Sequence, residues 1–156
     1  AFQSASAKAM THYLRSRYDG ILVGVGTAIA DDPALNCRIA GVGGYGGPGL
    51  AGQPRPIVVD PEGRWKFSSE SRMIKVAREG RGLGPWIVTC RGVGGESGEE
   101  GMERRKRREV LEAVGGRYIV VDWSGGCKEG KRQFDWGEIL RVLRAEGLTR
   151  VMIEGG

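Results

Sequence analysis

The chain has 156 residues, 40% of them hydrophobic and 28% charged, with a formal net charge of +5. That size supports one domain with a real core, and the lack of any run of roughly eighteen apolar residues excludes a membrane-spanning helix. Cys37, Cys90 and Cys127 form no CxxC pair, and the single His12 completes no zinc site with them at a familiar spacing, so no metal is expected.

Taken in chain order, Ser4 or Ser6 caps a helix running to about Arg17, with Met10, Tyr13, Leu14 and Arg17 along one face. Gly20 to Val25 reads as a buried strand, and Asp31-Asp32-Pro33 turns the chain where a further helix would begin. Gly41 to Gly52 and Arg91 to Gly101 are glycine-rich and are expected as flexible surface loops. Gln53-Pro54-Arg55-Pro56 leads stiffly into a strand that ends at Asp60, with a turn at Pro61-Glu62-Gly63. A short helix from Ser69 to about Ala77 and a strand from Trp86 to Cys90 follow. Met102 to Val114 is helical, with Val110, Leu111 and Val114 as its apolar edge, and Tyr118 to Asp122 is a strand. Trp136 to Glu146 is a helix with Ile139, Leu140 and Leu143 inward; Gly147 ends it. The closing RVMIEGG is a last strand running into glycines. Uniformly apolar strands separated by helices indicate an α/β fold, a mainly parallel sheet flanked by helices, with ligands at the carboxyl ends of its strands. With no initiator Met and an end directly after a strand, residues 1–156 are expected to be a piece of a longer protein.

Gly24-Val25-Gly26 after the first strand invites a Rossmann reading. The third glycine is replaced by Ile29, and the nearest strand-end acid, Asp60, lies too far along the chain. The basic run Glu103 to Glu109 has no interleaved aromatic residues and reads as a solvated helix face, not a nucleic-acid surface. His12 stands on a helix without a partner nucleophile, and no GxSxG or HExxH occurs. A stronger constellation is Arg15 before the first strand, Thr27 and Asp31 in the loop after it, Arg38 beyond, and Glu154 with Gly155-Gly156 at the last strand end. Hydroxyl, carboxylate and glycine backbone at strand ends suit a ribose-phosphate ligand, and two guanidiniums suit a second phosphate.

Three blocks carry a resemblance: Thr11 to Arg38 (THYLRSRYDGILVGVGTAIADDPALNCR), Pro54 to Arg64 (PRPIVVDPEGR) and the closing VMIEGG. Together they resemble the reductase domain of riboflavin biosynthesis, and the THYLRSR wording resembles its fungal type. The resemblance implies a dihydrofolate-reductase-like fold. It also implies NADPH-dependent reduction of the ribosylamino group of a pyrimidinone 5′-phosphate to ribitylamino, in a cytoplasmic homodimer. Carried over by position, it implies that Thr27, Asp31, Gly155 and Gly156 contact NADPH, with Val121 (or Val120) lining the cofactor pocket. Arg15, Leu35, Arg38 and Glu154 are implied to contact the substrate; no proton donor is assigned. Against the family, the opening strand before Ala1 and the strands after Gly156 are expected to be missing. Other readings are a dihydrofolate-reductase-like enzyme on another pteridine or pyrimidine, and a basic nucleic-acid-binding module.

Overall fold

The computed structural model describes residues 4–90, 97–122 and 135–155. The N-terminal helix α1 (Ala5–Arg17) starts at Ser4, whose hydroxyl accepts from the Ala7 amide at 3.1 Å. Strand β1 (Gly20–Gly24) passes directly into α2 (Val25–Asp31). Next come β2 (Arg55–Val59), α3 (Arg72–Arg78), β3 (Trp86–Cys90), α4 (Gly98–Ala113), β4 (Arg117–Val121), α5 (Trp136–Ala145) and β5 (Val151–Ile153). None of the described helices is long and apolar enough to cross a membrane.

The five strands form one parallel sheet in the order β4-β3-β2-β1-β5. From β1 to β4 the chain steps in one direction, and right-handed crossovers put the connecting helices on one face. There Ile21, Val23, Val58 and Ile87 meet Ala28 of α2, Met73 and Ile74 of α3 and Leu111 of α4. The return from β4 to β5 reverses direction and lays α5 on the other face. Here Leu22, Ile57, Val59, Val88 and Val121 meet Ile139 and Leu143. Strand pleating sorts neighbouring residues between the two layers, so uniformly apolar strands are what this sheet requires.

Several expectations change. The segment after β1 is a helix, so Thr27 and Asp31 stand on α2 and not in a loop. Val25 and Ala28 are buried at helical spacing, and Asp31-Asp32-Pro33 ends this helix instead of preventing it, with Asp32 at φ 42. On α1 the apolar face is exposed: Met10 is 57% accessible and Tyr13 51%, while Thr11, His12, Arg15 and Ser16 turn toward the body. On α5, Leu140 is exposed while Ile139, Val142 and Leu143 face inward at i, i+3, i+4 spacing.

The first glycine-rich segment forms no helix or strand, yet it folds tightly on itself. Gly43 N donates to Ala51 O at 2.8 Å, and Gly47 N to Val42 O at 3.1 Å. A Cβ on Gly43 would stand 2.5 Å from the backbone of Leu50 and Ala51, and one on Gly47 would stand 2.2 Å from Gly41 O. Glycine is required there for backbone to approach backbone. Of the second glycine-rich segment, residues 91–96 lie outside the described residues. The loop expected up to Gly101 gives way earlier: Gly98–Gly101 form the first turn of α4, with Glu99 and Glu100 favourably placed at its N-terminus.

Asp19 pins the entry of the sheet. Its Oδ2 accepts from Thr149 N at 3.0 Å, Thr149 Oγ1 at 2.9 Å and Arg150 N at 2.9 Å, while its carbonyl accepts from Arg55 N at 2.8 Å. The Arg150 amide, followed by the Thr149 hydroxyl, holds its carboxyl below the ordinary value. A carboxyl depressed in the folded state stabilises above its unfolded pKa, and that contribution disappears as pH falls through the folded value. Asp19→Asn should therefore lower the melting temperature by a few degrees at pH 7. Thermal unfolding followed from pH 7 down to about pH 3 should show the gap to wild type closing below about pH 4.

Candidate active site

The order of the sheet reverses between β1 and β5, and open α/β sheets bind ligands outside the carboxyl ends of strands at such a switch point. The chain builds this corner from three segments: α1, the α2 helix with the residues that follow it, and the end of β5.

Glu154 continues β5 along β1, its amide donating to Leu22 O at 2.9 Å. Its carboxylate takes a forked pair from Arg15 of α1, Nε to Oε2 at 3.1 Å and Nη2 to Oε1 at 3.2 Å. The remaining Arg15 nitrogen, Nη1, donates to Asn36 O at 3.1 Å. With side chains only 13% and 21% exposed, the pair lies largely out of water. One guanidinium thereby joins the first helix, the loop after α2 and the last strand. Arg15 and Glu154, assigned separately from sequence, act on each other, so neither presents an unpaired charge.

Beyond Glu154 the chain crosses over α2. Gly155 has φ 90, and a Cβ there would meet Thr27 Oγ1 at 2.7 Å. Thr27 is half-buried beneath this crossing, and Asp31, four residues further along α2, is exposed on the same side of the helix. Asp32 is used differently from its neighbour: its Oδ1 accepts from Arg72 N at 3.1 Å and caps α3. Gly156 lies outside the described residues.

Residues 34–37 are buried. Leu35, at φ 57, packs in the core beneath α2, and Asn36 is held by Nδ2 donating to Tyr45 Oη at 2.8 Å and Arg81 O at 3.0 Å. Gln53 grips Cys37 like a neighbouring strand: Cys37 N donates to Oε1 at 2.9 Å, and Nε2 donates to Cys37 O at 2.6 Å and Gly43 O at 2.8 Å. The glycine-rich segment is thus the seat of this loop. Arg38 then emerges exposed, its amide 3.3 Å from His12 Nδ1 and its Nη2 3.2 Å from His12 Nε2. Burial, followed by the charges of Arg38 and Arg15, holds the imidazole below its ordinary pKa, against the Asn36 carbonyl and Glu154. Burial and the two guanidiniums therefore favour the uncharged ring.

The structure therefore brings Thr27, Gly155, Arg15 and Glu154 together and places Arg38 one helical turn from Arg15 through His12. Val121 is apart, at the end of β4, roughly 14 Å from β1 by strand spacing; it is buried under α5, and Val120 is exposed. Gln53, Tyr45 and Asn36 escape the sequence reading, because an amide or phenol has no motif around it. His12, set aside in the sequence because no nucleophile accompanies it, carried one signal after all: it stands one helical turn before Arg15. Asp60 serves the fold: its carboxylate accepts from Arg64 N at 2.8 Å and Trp65 N at 2.9 Å. On α4, Arg105, Lys106 and Arg108 are exposed, as a solvated face requires. A groove of about 320 Å³ opens at the opposite end of the sheet, beside Arg17, Asp19 and Arg150. It shares Gln53 with the corner described above, and the polar groups of Asp19 and Gln53 on its wall already have partners.

The family model of the RibD C-terminal domain matches residues 2–156. The 2,5-diamino-6-ribosylamino-4(3H)-pyrimidinone 5′-phosphate reductase of Eremothecium gossypii is 39% identical over 150 residues, covering 96% of this chain and 52% of that protein. The protein of the same name from Debaryomyces hansenii is 35% identical over 149 residues, 96% of this chain and 53% of its own length. Among solved structures, the Saccharomyces cerevisiae riboflavin biosynthesis reductase Rib7 superposes with a TM-score of 0.66 at 28% identity, over 98% of this chain and 54% of that one. The chain spans about half the length of the curated relatives it matches. The fold is the dihydrofolate-reductase-like one of these reductases.

The forked ion pair can be weighed directly. A double-mutant cycle of Arg15→Met and Glu154→Gln, read by chemical denaturation, should give a coupling of about 1–3 kcal/mol. A coupling near zero would show that the pair does not hold α1 to β5.

Proposed function

From the premise that the chain belongs to the RibD C-terminal domain family, we propose that it supplies the site that reduces a ribosylamino group to ribitylamino on 2,5-diamino-6-ribosylamino-4(3H)-pyrimidinone 5′-phosphate, with NADPH as reductant. The names of its relatives support the substrate class. The observation that carries the reading is local: Thr27 lies directly under Gly155, beside the Arg15–Glu154–Asn36 junction and at the switch point.

The residues at this corner fit a dinucleotide. Glycine at 155 lets the backbone lie directly against the Thr27 side chain, which a Cβ would prevent. It so sets the Thr27 hydroxyl beside the Gly155 backbone as one polar wall for a phosphate-bearing ligand. Thr27, Asp31 and Gly155 would hold the cofactor, and a bound dihydronicotinamide supplies the hydride. The substrate ribosylamine opens to an imine, and the protein's work is to bring that carbon to the donor and keep it there. Arg38, exposed and touching His12 through Nη2, turns its guanidinium to fork onto phosphate oxygens and anchors the 5′-phosphate away from the reacting end. Arg15 acts one step back: held by Glu154 and Asn36, it fixes the walls between which the substrate lies. The net charge of +5 draws both anionic ligands. The same reading carries the homodimer and the cytoplasmic setting.

Purified full-length protein assayed for NADPH oxidation should turn over this pyrimidinone phosphate and not dihydrofolate; the reverse preference would replace the substrate assignment. Arg38→Ala should raise the substrate KM by about 10- to 100-fold, the loss of a charge-assisted phosphate contact, while NADPH affinity measured by fluorescence titration stays close to wild type. Asp31→Ala should weaken NADPH, and unchanged cofactor affinity in that variant would remove Asp31 from the site.

A further inference from the structure

His12 has no part in the roles above, yet the structure aims it at Arg38. Its ring is within reach of Arg38 twice, at the amide (3.3 Å) and at Nη2 (3.2 Å). The amide faces Nδ1 and the guanidinium faces Nε2. A neutral imidazole has one acceptor nitrogen and both Arg38 groups only donate, so either tautomer satisfies one of the two contacts and leaves a ring N–H against the other donor. The rest of the surroundings are fixed. On its own helix Arg15 lies one turn further on; from the loop come Asn36 O and Cys37, whose Sγ donates to His12 O at 3.1 Å; from β5 comes Glu154, already paired with Arg15. Two positive charges therefore face the ring, and the one nearby carboxylate is engaged by one of them.

We propose that His12 and Arg38 form a proton-coupled phosphate clamp, in which a phosphate dianion docking on Arg38 draws a proton from solvent onto His12. Before phosphate arrives, the neutral ring accepts from Arg38 and holds its side chain in place. An arriving dianion neutralises Arg38, reverses the sign of the field at the imidazole and accepts from the imidazolium, so both side chains turn their donors onto the phosphate. This rests on Arg38 as the phosphate anchor. It also sets a direction of proton flow that separates His12 from the ligand. Near pH 7.5 a phosphate monoester is already mostly dianionic, and contact with a guanidinium makes it release protons, not take them up.

The test is calorimetric titration of full-length protein with the pyrimidinone 5′-phosphate, without cofactor, in two buffers of different ionisation enthalpy at pH 7.5. Wild type should take up a substantial fraction of one proton per complex, and the dephosphorylated compound none. His12→Gln should lose that uptake, bind about tenfold more weakly and show a flatter dependence of KM on pH between about 6.5 and 8.5. The effect should fall on KM more than on kcat. His12→Asn, which keeps a hydrogen-bonding group near Nδ1, should recover part of the affinity and none of the proton uptake. Uptake and pH profile unchanged in both variants, with Arg38→Ala impaired, would overturn the clamp and leave the phosphate anchor standing. Wild-type affinity in Arg38→Ala would overturn both.

Discussion

The Arg15 guanidinium is the joint on which this corner of the molecule depends. Its three donors reach a carboxylate on the last strand and a carbonyl in the loop after α2. None of these partners is near it in sequence, and all three segments must be in place for the fork to close. A helix held this way can afford an exposed apolar side, because its attachment is made through His12 and Arg15 rather than through Met10 and Leu14. Packing fixes the sheet; charge and hydrogen bonding fix what stands at its edge.

That division explains how far the sequence could be read. The strands were legible because parallel strands buried on both faces leave runs such as those at Ile57–Val59 and Trp86–Cys90. Helices α4 and α5 were legible for the same reason, with Leu111, Ile139 and Leu143 at core-facing positions. The reading failed where polar contacts override pattern. Helix α1 turns its polar stripe inward for the ion pair, and α2 is too short for its periodicity to outweigh the Asp-Asp-Pro break. At the candidate site the sequence singled out residues and not their arrangement: Arg15 and Glu154 each stood out, but nothing along the chain says that they bind each other.

The glycine-rich segment from Gly41 to Gly52 makes the same point from the other direction. Composition marks it as loose, while the structure uses its glycines to stack backbone on backbone and to give Gln53 and Tyr45 fixed positions. Those two side chains then hold Asn36 and Cys37, which set Arg38. Between the glycines and the exposed guanidinium lie only two shells of hydrogen bonds, so the segment belongs to the site although it bears no chemistry.

The partners in the Arg15–Glu154 pair stand 139 residues apart, and this has a consequence for how the protein is made. Closing a loop of such length carries an entropic cost that must be met before the contact can repay it. The first helix leaves the ribosome with its polar face unmatched and finds its partner only when the last strand settles against β1. The junction of Arg15, Asn36 and Glu154 thus closes only when β5 lies against β1, and its formation reports that α1, the loop after α2 and β5 have come together.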